Sequence, residues 1–100
     1  MASTDVVIDE KVKVVISEPK RWKVILLNDD STPMEFVIGL LVEIFKHSVD
    51  AAQDIMLQVH ETGSGVAGVY SFEIAEAKAV EATNEARTNN HPLQIKLEEE

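Results

Sequence analysis

Trp22-Lys23-Val24-Ile25-Leu26-Leu27-Asn28-Asp29-Asp30-Ser31-Thr32-Pro33-Met34-Glu35 carries a strand, a turn and a helix start within fourteen residues. The alternation predicts a strand from Trp22 to Asn28. Trp22, Val24 and Leu26 fall on one face and Lys23, Ile25 and Leu27 on the other, so both faces have apolar cover. Asn28-Asp29-Asp30-Ser31 is turn chemistry, because these short polar side chains bond to nearby backbone. Thr32 reads as a helix N-cap, Pro33 as the first helical residue, and Glu35 as the residue that closes a capping box. The helix is predicted to run to about His47, with Val37, Leu40, Leu41 and Ile44 as its buried stripe. Gly39 inside it costs roughly 1 kcal/mol relative to Ala, which predicts close packing at that point.

Downstream, Ser48 reads as the cap of a second helix from Val49 to about Val59, with Ala52, Ile55, Met56 and Val59 on its apolar face. Glu61 to Gly65 reads as a loop, and Val66 to Tyr70 as a short strand. Ser71 would cap a third helix, rich in Ala and Glu, that ends near Asn89-Asn90. Asn tolerates the left-handed geometry found past a helix end, and Pro92 prevents continuation. Leu93, Ile95 and Leu97 alternate with Gln94 and Lys96 in a last strand. The order β-α-α-β-α-β predicts a single α+β domain, a small three-stranded antiparallel sheet covered by helices. Ahead of it, residues 1–20 read as a flexible N-terminal arm; Lys11-Val12-Lys13-Val14, with Val15-Ile16 following, alternates like a strand before Pro19 breaks the pattern, either a transient strand or a fixed edge strand of the domain. Residues 21–100 form the predicted core domain.

The 100 residues carry 9 Lys+Arg against 18 Asp+Glu, a formal charge of −9. The charge is uneven: residues 1–21 balance, residues 22–97 are acidic, and Glu98-Glu99-Glu100 forms a short acidic end. This balance argues against nucleic-acid binding and against anionic membrane surfaces, and favours cationic partners. There is no cysteine, hence no disulfide and no thiolate chemistry. No apolar run is long enough to span a bilayer, and Val6-Val7-Ile8 is too short for a signal peptide.

Candidate chemistry is sparse. His47, His60 and His91 do not make a zinc site, and four residues after His60 stands Ser64, not a second His. His47 and His91 read as helix-end residues. His60, beside Met56 and Val59, reads equally well as structural or as a ligand contact. Asp29-Asp30 at a strand end are either turn formers or carboxylates that attract a cation. Five βα units and a late strand-end Lys, which a magnesium-dependent receiver fold needs, are missing. No Gly-x-Ser-x-Gly elbow exists, and Gly63-Ser64-Gly65 precedes a strand rather than the helix a phosphate loop requires. Met34 and Met56 are core fillers or the adaptable wall of an apolar pocket.

The block Asn28-Asp29-Asp30-Ser31-Thr32-Pro33-Met34-Glu35-Phe36-Val37, preceded by Val24-Ile25-Leu26-Leu27, resembles the signature of the ClpS family of proteolytic adaptors. Met56-x-x-Val59-His60 with Gly63, Gly68-Val69-Tyr70 through Ile74-Ala75-Glu76-x-Lys78, and His91-Pro92-Leu93 agree in order and spacing from Trp22 to about Leu97. The resemblance implies a non-enzymatic adaptor, without metal or cofactor. It would bind proteins with N-terminal Leu, Phe, Tyr or Trp (N-degrons) and hand them to a ClpA- or ClpC-type AAA+ unfoldase working with ClpP.

By motif position, the resemblance implies that Asn28, Asp29 and His60 contact the substrate's α-amino group, with Asp30 in support. Thr32, Met34, Val37, Met56, Val59 and Leu93 would wall the side-chain pocket. Glu73, Glu76 and Lys78 would face the unfoldase, and the N-terminal arm would be engaged during delivery. Met34 matches the gatekeeper that excludes β-branched first residues. If His60 accepts from the ammonium it must be neutral, so affinity is expected to fall with pH. Ser31 departs from a commonly aromatic position, and Gly39 with Gly63-Ser64-Gly65 suggests a more mobile site. These departures keep open a modulator of Clp substrate choice with altered or lost N-degron recognition. An acid-dependent enzyme using Asp29, Asp30 and His60 is a third reading. The expected state is a monomer and the expected compartment the cytoplasm or plastid stroma.

Overall fold

The computed structural model describes residues 19–100. The elements are β1 (Arg21–Leu27), α1 (Met34–Glu43), α2 (Val49–Thr62), β2 (Ser64–Ser71), α3 (Phe72–Thr88) and β3 (Gln94–Glu99). This is the predicted α+β order, and β1 is the centre of an antiparallel sheet ordered β2-β1-β3. The strand expected within Lys11 to Ile16, and all of the arm but Pro19 and Lys20, lie outside the described residues.

The core forms where strand and helix periodicities meet. Val24 and Leu26, on one face of β1, are fully buried and join Val37, Leu40, Leu41 and Ile44, Met56 and Val59 of α2, and Leu93 in one cluster. Full burial of each such side chain contributes roughly 1.5–3 kcal/mol. Helix α3 contributes Ala75, Ala82 and Ala86, all fully buried. Side chains this small let the helix lie close against the sheet, a role that its Ala-rich composition did not specify. At the sheet's end Trp22 meets Phe72 edge to face, with centroids 5.1 Å apart.

Several local expectations change. The first helix begins one residue late: Pro33, with ψ 143°, is the N-cap, and no side chain caps the helix. The capping box of Thr32 and Glu35 therefore does not form, because the Thr32 hydroxyl donates to Asp29 instead. The helix ends at Glu43, not His47, and Lys46 takes a left-handed φ of 64°. His47 lies beyond the helix, and its Nε2–H donates to the Ala67 carbonyl. That carbonyl belongs to a β-bulge: Val24 pairs with Gly68 and Ile25 with Val66, so Ala67 is the extra residue. A bulge leaves one residue outside the ladder, and His47 supplies its hydrogen bond.

The second helix has the expected cap, with Ser48 Oγ accepting from the Ala51 N–H at 3.1 Å. It runs to Thr62, further than the sequence indicated, and stops at Gly63, left-handed at φ 93°. Asn90, past α3, is left-handed as expected (φ 63°). The acidic end is not a loose tail. Glu98 and Glu99 belong to β3, where Lys23 and Lys20 lie 3.6 and 3.1 Å from their carboxylates. The Glu100 N–H donates to the Arg21 carbonyl at 2.8 Å.

Gly39 does not mark close packing. A Cβ there would meet nothing within 4 Å, and the residue faces an open groove. At Gly63 a Cβ also has space, so a substitution there is opposed by backbone conformation alone. In urea unfolding, Gly39→Ala should raise stability by up to about 1 kcal/mol. Gly63→Ala should lower it by about 1–2 kcal/mol.

Candidate functional site

The end of β1 and the end of α2 are held together by one backbone bond, from the Asn28 N–H to the Gly63 carbonyl at 2.9 Å. Gly63 is available there because its own N–H closes α2 on the Val59 carbonyl at 2.9 Å. Gly65, two residues on, is a close approach. A Cβ would lie 2.7 Å from Val59 Cγ2 and 3.4 Å from the Ile55 carbonyl. Both glycines have specific structural tasks. The first ends the helix, and the second lets β2 run against it.

After Asn28 the chain turns, with the Thr32 N–H donating to the Asp29 carbonyl at 3.2 Å. The Thr32 hydroxyl also donates to Asp29 Oδ2 at 2.7 Å. Thr32 is the only buried polar residue among the described residues. Burial shields its hydroxyl from bulk solvent, and the Asp29 carboxylate accepts a charge-assisted bond from it. The Asp29 side chain is thereby fixed at the turn while staying partly open to solvent.

The turn, the start of α1 and the last two turns of α2 enclose a cavity of about 280 Å³ lined by Asn28, Asp29, Asp30, Thr32, Pro33, Met34, Met56 and His60. Seven of these were named from the sequence. Pro33 was not, although its place between Thr32 and Met34 puts it on the same rim. Asn28, Asp30 and His60 are exposed, Met34 is 44% exposed, and Met56 is buried at 4%. Val37, Val59 and Leu93 sit in the core cluster and are not among the cavity-lining residues. Ser31 is exposed in the turn and does not line the cavity.

Chemically the cavity has two parts. Asn28, Asp29, Asp30 and His60 offer an amide oxygen, two carboxylates and an imidazole, with no Lys or Arg among the lining residues. Met34, Met56 and Pro33 offer an apolar surface. Such a cavity suits a small cation joined to an apolar group. Among the described residues, no three His, Asp or Glu side chains cluster as metal ligands would.

On α3, Glu73 and Glu76 are exposed and three residues apart, so they share a face. Lys78 is turned inward: its ammonium donates to the Ile44 carbonyl at 2.7 Å and lies 5.4 Å from the centre of the Tyr70 ring. Burial pushes the Tyr70 hydroxyl pKa above its ordinary value. A second groove, of about 460 Å³, lies at the far end of α3 among Arg87, Asn90, His91, Pro92 and Gln94. Arg87 donates there to the His91 and Leu93 carbonyls and fixes the turn into β3.

The model of the ClpS family, described as ATP-dependent Clp protease adaptor protein ClpS, matches residues 17–96. The chain is 49% identical over 90 residues to the ATP-dependent Clp protease adapter protein ClpS of Sodalis glossinidius, covering 90% of this chain and 85% of that protein. It is 46% identical over 90 residues to the corresponding protein of Maricaulis maris, covering 90% and 83%. Among solved structures, Agrobacterium tumefaciens ClpS2 bound to L-phenylalaninamide superposes with a TM-score of 0.80 at 43% identity, covering 83% of this chain and all of that one.

Thr32→Val keeps the side-chain shape and removes the bond to Asp29. It should lower stability by about 1 kcal/mol in urea unfolding.

Proposed function

The chain belongs to the ClpS family of ATP-dependent Clp protease adaptors, and we propose that it binds proteins through a free N-terminal Leu, Phe, Tyr or Trp. The observation that carries the reading is the two-part cavity: acceptors at Asn28, Asp29 and His60, thioethers at Met34 and Met56. An α-ammonium has three donors, and an amide oxygen, a carboxylate and a neutral imidazole nitrogen are three acceptors for it. Charge-assisted bonds of this kind contribute roughly 1.5–3 kcal/mol each. Burial of a Leu or Phe side chain adds roughly 1.5–3 kcal/mol. Association costs exceed either contribution alone, so a ligand needs both parts. The phenylalaninamide carried by the Agrobacterium relative has both a free amine and an aromatic side chain, which supports the reading.

The rest of the proposal follows the family. The protein acts as a monomer, catalyses nothing, and passes its cargo to a ClpA- or ClpC-type unfoldase and ClpP in the cytoplasm or plastid stroma. Asp30 adds negative field at the rim. Val37, Val59 and Leu93 back the side-chain pocket from the core. Glu73 and Glu76 present the unfoldase-binding face, and Lys78 supports it from within. The N-terminal arm takes part in delivery.

Fluorescence anisotropy with peptides that differ only at residue one tests the reading. Phe and Leu peptides should bind, and acetyl-Phe should lose at least about tenfold in affinity, the loss of one charge-assisted bond. Asn28→Ala and His60→Ala should each do the same. Ile and Val peptides should bind poorly, and Met34→Ala should admit them. No binding to any of the peptides would overturn N-terminal recognition and leave a modulator of Clp substrate choice.

A further inference from the structure

The apolar part of the cavity rests on two thioethers of very different accessibility, Met34 at 44% exposure and Met56 at 4%. We propose that Met34 is an oxidation site through which peroxide reversibly weakens ligand binding in this cavity. The inference rests on the proposed recognition of an apolar N-terminal side chain. In the step itself, the Met34 sulfur attacks one oxygen of hydrogen peroxide. An S–O bond forms and the O–O bond breaks. The departing oxygen leaves with both protons as water. The sulfur is oxidised by two electrons to the sulfoxide and the peroxide is reduced.

Position decides which methionine reacts and how binding responds. Met34 is the first residue of α1, on the cavity rim, where a small oxidant reaches it from solvent. Hydrogen peroxide is neutral, so the carboxylates of Asp29 and Asp30 do not repel it as they would an anionic oxidant. Met56 is shielded in the core cluster. Oxidation replaces an adaptable apolar wall with an S=O dipole that an incoming side chain would have to strip of water, at the penalty of burying an unsatisfied polar group. The exposure that admits peroxide also leaves the sulfoxide open to methionine sulfoxide reductases, which makes the change reversible.

The test uses the full chain. Graded hydrogen peroxide treatment is followed by peptide mass mapping of Met34 and Met56, then by anisotropy with a Phe peptide. Oxygen should be gained at Met34 well before Met56. Affinity should drop about tenfold or more while the circular dichroism melt stays unchanged. Methionine sulfoxide reductases A and B with dithiothreitol should restore the starting affinity. Measured against its own untreated value, Met34→Leu should show no peroxide effect, whereas Met56→Leu should keep it. If untreated protein fails to bind the peptide, N-terminal recognition falls and this inference with it. If untreated protein binds and the Met34 sulfoxide binds equally well, only this inference falls. Prior oxidation of Met56, or a loss of affinity that tracks unfolding, also overturns it.

Discussion

The bond from the Asn28 N–H to the Gly63 carbonyl is the constraint on which the site depends. Asn28 and Asp29 follow a sheet strand, and His60 stands in the last turn of a helix, some thirty positions away in sequence. They share a cavity because β1 and α2 end at the same place and the two ends are tied. The tie requires α2 to stop within three residues of His60. Gly63 makes that stop by adopting φ 93°, a conformation in which a side chain is strained. From there Ser64 and Gly65 pair back along β1 at Leu27 and Leu26, so the same turn starts the sheet.

The third wall of the cavity is α1, and its far end is anchored twice. Lys78 reaches from α3 to the Ile44 carbonyl, just past the helix. The connection to α2 is pinned where His47 donates to Ala67. Both bonds serve carbonyls left without a ladder partner, one by a helix end and the other by a bulge. A buried carbonyl without a partner costs roughly 1–3 kcal/mol, so each of these contacts is worth more than a surface bond of the same length. Among the described residues, the ion pairs Lys20–Glu99, Arg21–Glu100 and Lys23–Glu98 are largely open to solvent and contribute little individually. The acidic end is ordered by its backbone pairing with β1, which sets its carboxylates beside basic side chains.

How much of this was legible in the sequence depended on the range of the interactions involved. The strands, the helices, the Ser48 cap and the stripe Val37-Leu40-Leu41-Ile44 were readable because their causes lie within a few residues. The cavity-lining set was reached through the family resemblance, whose motif spans its two short blocks; taken alone, His60 and the two methionines left structural and ligand roles open. The capping box failed because Thr32 had two possible partners, and the one chosen, Asp29, was set by burial of the hydroxyl. The meaning of Gly39 was not readable, since an empty groove and a tight contact leave the same mark on a helix. The inward turn of Lys78 depends on a partner 34 positions away, and the pairing of Glu98 and Glu99 on Lys23 and Lys20 at the other end of the domain, which no local pattern records.

On the proposed reading, electrostatics alone cannot make this cavity selective. Attraction between the acidic surface and a cation is screened beyond roughly 8–10 Å at ordinary salt. A lysine side chain carries the same charge as a chain terminus and would be drawn to the rim equally well. The geometry makes the difference. In a chain terminus the ammonium is separated from the side chain by a single Cα, so the acceptors and the thioethers can be satisfied by one residue. A lysine places four methylenes between its ammonium and its backbone, and its apolar stem leads back toward the chain instead of into the cavity. Selectivity for a terminus therefore comes from the short distance between the two parts of the cavity. That distance is held by the Thr32–Asp29 bond on one side and the Asn28–Gly63 bond on the other.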